Sequence, residues 1–177
     1  YKMSQCYKEL MNDTRAFILD IDGVLTDGTV HISEDGQLLR QMNIKDGYAM
    51  KAAAHNGYPV CIISGGNNEG VRIRLQNLGI KDIYLAAPDK VEKFYEICDA
   101  YQLKPEEILY MGDDIPDYLV MQKVDLPTCP QDAVQEIKGI SKYISHVNGG
   151  RGAVRDVIEQ VMKVQGKWMD DFDAKLF

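Results

Sequence analysis

The chain has 177 residues, 45% of them hydrophobic and 27% charged, with a formal net charge of −7. That length and balance suit one ordinary domain with its own core, and the negative charge argues against a nucleic-acid or anionic-membrane surface. No run approaches the roughly 18 consecutive apolar residues of a membrane span, no signal-peptide pattern opens the sequence, and four scattered cysteines without a Cys-x-x-Cys pair point to reduced thiols in a cytoplasmic protein.

Residues 1 to about 14 are polar and irregular, and a short lead-in helix or arm is expected there. Ala16–Leu19 then reads as a buried strand that runs directly into acids. Segments 28–32 and 37–43 flank Ser33-Glu34-Asp35-Gly36, whose Asp-Gly signals a hairpin. Inserted between the first strand and the first helix, this hairpin leaves no room for a separate cap domain. A helix is expected over 47–56, stopped by Gly57-Tyr58-Pro59, and a strand over Val60–Ile63 with Cys61 as a buried thiol. A helix over 68–78, a strand over 83–85, a helix over Lys90–Tyr101 and a strand over Ile108–Met111 follow. In the Lys90–Tyr101 segment Val91, Phe94, Tyr95 and Cys98 share one face at helical spacing. Short apolar strands alternating with helices predict an α/β, Rossmann-like parallel sheet covered on both faces, as a single domain over 1–177. The tail, 165–177, carries Trp168, Met169, Phe172, Leu176 and Phe177 without a period, which fits either docking on a neighbouring subunit or a frayed end.

The chemistry gathers where strands end. Asp20-Ile21-Asp22-Gly23 follows the first strand, at the sheet edge where open α/β sheets bind ligands. One carboxylate there can attack phosphorus while the other handles the leaving-group proton. A calcium loop is set aside, because glycine stands fourth and a strand precedes. Gly112-Asp113-Asp114-Ile115-Pro116-Asp117 follows the strand 108–111 and crowds three carboxylates that require a cation among them. Hard oxygen donors with few supplied by protein favour Mg²⁺. Ser64-Gly65-Gly66 precedes a helix and can hold phosphate, although such loops are more often plain helix caps. Lys90 opens a helix against the dipole, as an anion site would have it.

In this order, DxDGV, SGG, K and GDDxxD resemble the four motifs of the haloacid dehalogenase superfamily. Asn43-Ile44-Lys45-Asp46-Gly47-Tyr48, Arg72 and Arg74, and the late Gly149-Gly150-Arg151-Gly152-Ala153-Val154-Arg155 resemble its capless 3-deoxy-D-manno-octulosonate 8-phosphate phosphatases over about residues 15 to 163. The resemblance implies Asp20 as nucleophile, Asp22 as acid/base, and Ser64 and Lys90 as phosphoryl ligands. It implies Mg²⁺ held by Asp20, Asp113 and the carbonyl of Asp22, with Asp114 and Asp117 behind them. Asn43, Ile44, Lys45, Asp46, Gly47, Lys51, Gly66 and Arg74 are implied at the substrate, and Gly66 and Lys51 stand where the pattern usually has arginine. It further implies a homo-oligomer, a tetramer built on the hairpins, serving lipopolysaccharide precursor synthesis. The alternatives are a phosphatase for a nine-carbon sialic-acid-type 9-phosphate and a non-catalytic assembly domain.

Overall fold

The computed structural model describes residues 5–169. After α1 (Tyr7–Asp13), strand β1 (Ala16–Leu19) is followed by a two-stranded antiparallel hairpin, β2 (His31–Ile32) and β3 (Leu38–Leu39). Then come α2 (Ile44–His55), β4 (Val60–Ile63), α3 (Glu69–Asn77), β5 (Asp82–Tyr84), α4 (Lys90–Tyr101) and β6 (Ile108–Met111). The chain closes with α5 (Tyr118–Met121), β7 (Leu126–Cys129), α6 (Gln135–Ile140), β8 (Tyr143–Ile144) and α7 (Ala153–Val164).

Six strands form one parallel sheet in the order β5-β4-β1-β6-β7-β8. β1 sits between β4 and β6, with Leu19 opposite both Ile62 and Met111. Chain order reverses at this strand, so the crevice past its carboxyl end is where such a sheet places a ligand. Strand alternation divides the core. Phe17 and Leu19 pack with Met50, Leu75, Val154 and Val157 on the face covered by α1, α2, α3 and α7. Ala16 and Ile18 pack with Phe94, Ile97, Val120 and Ile137 on the face covered by α4, α5 and α6.

The α/β parallel sheet with helices on both faces is as expected, and among the described residues only the hairpin stands between β1 and α2. The boundaries differ in physical ways. α2 begins at Ile44 rather than 47, because Asn43 caps it by accepting from the Lys45 amide at 2.8 Å. The third strand is 82–84 rather than 83–85. β7, β8 and α5 to α7 lie beyond the elements read from the sequence. The start of the tail is anchored on its own chain: Gln165 Nε2 donates to the carbonyls of Met11 (2.9 Å) and Thr14 (2.7 Å). Trp168 meets Tyr48 edge-on, and both rings flank the Arg155 guanidinium. Phe172, Leu176 and Phe177 lie outside the described residues. No helix of the described residues is long and apolar enough to cross a membrane.

Candidate active site

Four strand ends converge. Asp20 continues β1, its amide donating to the Met111 carbonyl at 3.1 Å, so its side chain leaves the sheet edge in a fixed direction. The Ile21 amide donates to Asp20 Oδ1 at 2.7 Å, and Lys90 Nζ, at the first residue of α4, stands 3.0 Å from Asp20 Oδ2. Lys90 also donates to Asp117 Oδ1 at 2.7 Å. Asp117 is fully buried and accepts two further bonds, from the Tyr110 hydroxyl (2.7 Å) and the Asp113 amide (3.2 Å). Asp117 is thus the hub that fixes both the lysine and the loop after β6.

The electrostatics follow from burial. Loss of water, then the charge of Asp117, pushes Asp20 up to about 8, with Lys90 opposing. Asp113 is pushed up to about 7 by burial and by Asp117 and Asp114. Burial alone would lower Lys90, but Asp20 and Asp117 outweigh it and raise it. Oxygens of Asp20, Asp113 and Asp117 lie within 4.8 Å of one another. Asp113 Oδ1 is buried and accepts no hydrogen bond, a costly state for a carboxylate oxygen. An all-oxygen cluster with one buried oxygen unpartnered fits a small hard cation between Asp20 and Asp113, whereas Asp117 already has its donors. Gly23 makes room for this arrangement. It adopts φ +85°, open to glycine but strained for other residues, and any Cβ there would overlap the Asp113 carboxylate.

Around this centre, Ser64 follows β4, buried, with its hydroxyl accepting from the Gly66 amide at 3.2 Å. Asp114 is exposed and caps the 3₁₀ turn 115–117 through the Ile115 amide, so its carboxylate is occupied outside the cluster. Asp22 is gripped by Arg40, Nε to Oδ1 at 2.7 Å and Nη2 to Oδ2 at 3.1 Å. Reading the motifs along the chain misses Arg40, which stands alone after β3 with no neighbouring pattern.

The segment expected at the substrate divides in two. Asn43, Ile44 and Lys45 line a cavity of about 340 Å³ together with Asp27, Gly150 and Arg151. Arg151, quoted in the sequence only as part of the motif 149–155, is a second cation there to which no substrate role was given. Asp46 and Gly47 turn inward. Asp46 Oδ1 accepts from the Arg155 amide of α7 at 2.9 Å, its Oδ2 is buried without a partner, and burial lifts it to about 6. Gly47 lies against the Arg74 guanidinium, which would stand 2.9 Å from a Cβ there. Arg74 itself is exposed on α3 and Lys51 half-buried on α2, and neither lines this cavity. Arg72 turns away from the site, pairing with Glu69 at 3.4 Å and the Ile83 carbonyl at 3.4 Å.

Residues 34–125 match the family model of haloacid dehalogenase-like hydrolases. The 3-deoxy-D-manno-octulosonate 8-phosphate phosphatase KdsC of Salmonella typhi is 37% identical over 153 residues, 86% of this chain and 81% of that protein. The crystal structure of 3-deoxy-D-manno-octulosonate 8-phosphate phosphatase from Yersinia pestis superposes with a TM-score of 0.88 at 31% identity, covering 94% of both chains. That of the Moraxella catarrhalis enzyme, in complex with magnesium ion, phosphate ion and a KDO molecule, gives 0.89 at 26% identity, over 97% of this chain and 98% of that one. With the aspartates at the ends of β1 and β6 and a lysine between them, the chain belongs to the haloacid dehalogenase-like hydrolases, in the group of the 3-deoxy-D-manno-octulosonate 8-phosphate phosphatases.

Proposed function

We propose that this protein is a Mg²⁺-dependent phosphoric monoester hydrolase that converts 3-deoxy-D-manno-octulosonate 8-phosphate to 3-deoxy-D-manno-octulosonate and phosphate. The observation that carries the reading is Asp20, buried at the switch point of the sheet with Lys90 at 3.0 Å and the unpartnered Asp113 oxygen beside it. Asp20 and Asp113, with the Asp22 carbonyl, would hold a magnesium ion, which would supply positive charge to the phosphoryl oxygens. Everything else is done by side chains of the chain itself. Lys90 fixes the Asp20 carboxylate and keeps one ammonium proton for a phosphoryl oxygen, since only two of its three donors meet carboxylates. Asp20 attacks phosphorus and becomes an aspartyl phosphate, while Asp22 gives its proton to the departing alkoxide. Asp22 then takes a proton from water, whose oxygen cleaves the acyl phosphate and restores Asp20. Ser64 and the Gly66 amide line the phosphate side. Asn43, Ile44 and Lys45 line the cavity assigned to the sugar, and Lys51 and Arg74 are assigned to its carboxylate because a cation suits that group.

Val30, Ile32, Leu38 and Leu39 of the hairpin are all exposed. Two-residue strands with such a surface are marginal alone, which supports assembly of the hairpins into a homo-oligomer, a tetramer. The four cysteines are free, two of them buried, which suits a reducing cytoplasm.

The test is release of inorganic phosphate from 3-deoxy-D-manno-octulosonate 8-phosphate with Mg²⁺ and with EDTA. Turnover with the metal and its loss with EDTA are expected. A protein that releases no phosphate from this or any other sugar-acid phosphate with Mg²⁺ present refutes the reading.

A further inference from the structure

The four motifs supply the acids, but what holds Asp22 comes from outside them. Asp22 follows the strand by three residues, and its side chain is 39% exposed, open enough to adopt several rotamers. A general acid must stay within hydrogen-bond reach of the atom it protonates. Some constraint on Asp22 is therefore needed.

Arg40 provides one. Its side chain is only 9% exposed, although Leu39 and Gln41 on either side are exposed. Its guanidinium meets the two Asp22 oxygens in a fork, Nε–Oδ1 at 2.7 Å and Nη2–Oδ2 at 3.1 Å, and its third donor group, Nη1, rests on the Leu38 carbonyl at 3.2 Å. The fork fixes direction as well as distance. Glycine at residue 66 leaves this guanidinium room. A Cβ at that position would lie 3.2 Å from Arg40 Nη2, 3.1 Å from Asp22 Oδ2 and 3.6 Å from Ser64 Oγ. The hairpin that carries Arg40 is moored to the same loop, Asn68 Nδ2 donating to the Leu38 carbonyl at 2.9 Å.

We propose that Arg40 is a positioning residue, delivered by the inserted hairpin into the space above Gly66 to hold the Asp22 carboxyl toward the leaving group. This rests on the acid/base role given to Asp22 above. Arginine keeps its protons in any working range, so the proton that moves belongs to Asp22. It passes to the alkoxide as the P–O bond breaks, and is recovered from water in the second step. The longer Nη2–Oδ2 bond is the one released when Oδ2 carries that proton, while Nε keeps its hold on Oδ1.

The role predicts a dependence on the leaving group. p-Nitrophenolate departs without a proton, whereas a sugar alkoxide needs one. We expect Arg40→Ala to lower kcat/KM about 10- to 100-fold for 3-deoxy-D-manno-octulosonate 8-phosphate, part of the about 10²- to 10⁴-fold that proton transfer supplies. It should lower it equally for an alkyl phosphate monoester that lacks a carboxylate and that the wild type turns over, and leave p-nitrophenyl phosphate within a few-fold. Arg40→Lys, which keeps the charge and loses the fork, should fall between. Circular-dichroism melts check that both variants remain folded. Equal losses on all three substrates overturn the proposal in favour of a role in the phosphate site or the fold. A loss confined to the sugar acid overturns it in favour of a direct contact with the substrate carboxylate, and no loss at all overturns it outright. A wild type inactive on every substrate refutes the phosphatase reading beneath it instead.

Discussion

Replacing Lys90 with methionine removes the single ammonium shared by Asp20 (3.0 Å) and Asp117 (2.7 Å), while the methionine stem fills most of the same space. All three groups are at most 8% exposed, so water cannot replace the lost charge. Burial and the charge of Asp117 push Asp20 up to about 8 against the pull of Lys90. Near neutrality one carboxylate of the pair therefore carries a proton, and Lys90 balances the other. In the variant that second carboxylate must stay bare or take up a proton. Protonating an ordinary carboxyl at pH 7 costs about 1.36 × (7 − 3.9), or about 4 kcal/mol, close to the about 3–5 kcal/mol seen when one partner of a buried ion pair is removed. At pH 5 the same step costs about 1.36 × (5 − 3.9), or about 1.5 kcal/mol. For a chain of this size 1 kcal/mol moves Tm by about 2–4 °C. Lys90→Met should thus melt about 8–16 °C below the wild type at pH 7 in EDTA, but only about 3–6 °C below it at pH 5. The sign follows from the raised folded-state value of the uncompensated carboxylate: its contribution is whole at low pH and lost as pH rises. Circular-dichroism melts at the two pH values decide the matter. A deficit that is the same at both, or under about 2 °C at pH 7, refutes the view that this ammonium neutralises the buried pair.

Two further outcomes are expected. Asp20→Asn should lower kcat by more than about 10³-fold on every phosphate monoester, since a carboxamide cannot form the acyl phosphate, while its circular-dichroism spectrum stays that of the wild type; a loss of only a few-fold removes Asp20 from the nucleophile role. Asp46, at about 6 when folded against an ordinary 3.8, stabilises fully below 3.8 and loses that contribution as pH rises through 6, a change of about 1.36 × 2.2, or about 3 kcal/mol. Asp46→Asn keeps the acceptor for the Arg155 amide and cannot ionise, so its stability relative to wild type should rise by up to that amount between pH 4 and pH 7 in urea titrations; a flat difference contradicts the burial argument.

What the sequence makes legible is what local pattern can encode. Apolar runs ending in acids placed β1 and β6, and the run 60–63 ahead of Ser64 placed β4, so the order of the motifs already brought Asp20, Ser64 and Asp113 to one edge. β7 escaped because Leu126-Pro127-Thr128-Cys129 breaks its apolar run with Thr128 and a proline that argues against an interior strand; its register against β6 and β8 is set by the sheet around it. The helix α7 buries Val154, Val157, Ile158 and Val161 at clear helical spacing, a signal overshadowed by the glycine-rich loop before it. Long-range pairings are the least legible. Lys90 stood out because it opened a helix against the dipole, but the anions it meets include the chain's own Asp20 and Asp117. Arg40 reaches Asp22 across the hairpin, and no spacing rule links residues 40 and 22.

The central place of β1 also bears on how the chain is made. Phe17 and Ile18 pair with Val60 and Cys61 on one side, but on the other with Leu109 and Tyr110, which leave the ribosome some ninety residues later. At about 5–20 residues per second, that side of β1 stays unpaired for about 5–20 s of synthesis. An open edge of Ala-Phe-Ile-Leu is the kind of segment that recruits other nascent chains. Here it is bracketed by Arg15 at one end and by Asp20 and Asp22 at the other, the charged flanks that blunt such edges. The carboxylates proposed to do the chemistry thus guard the strand that carries them, which gives selection against losing them a second reason, felt before any substrate is met.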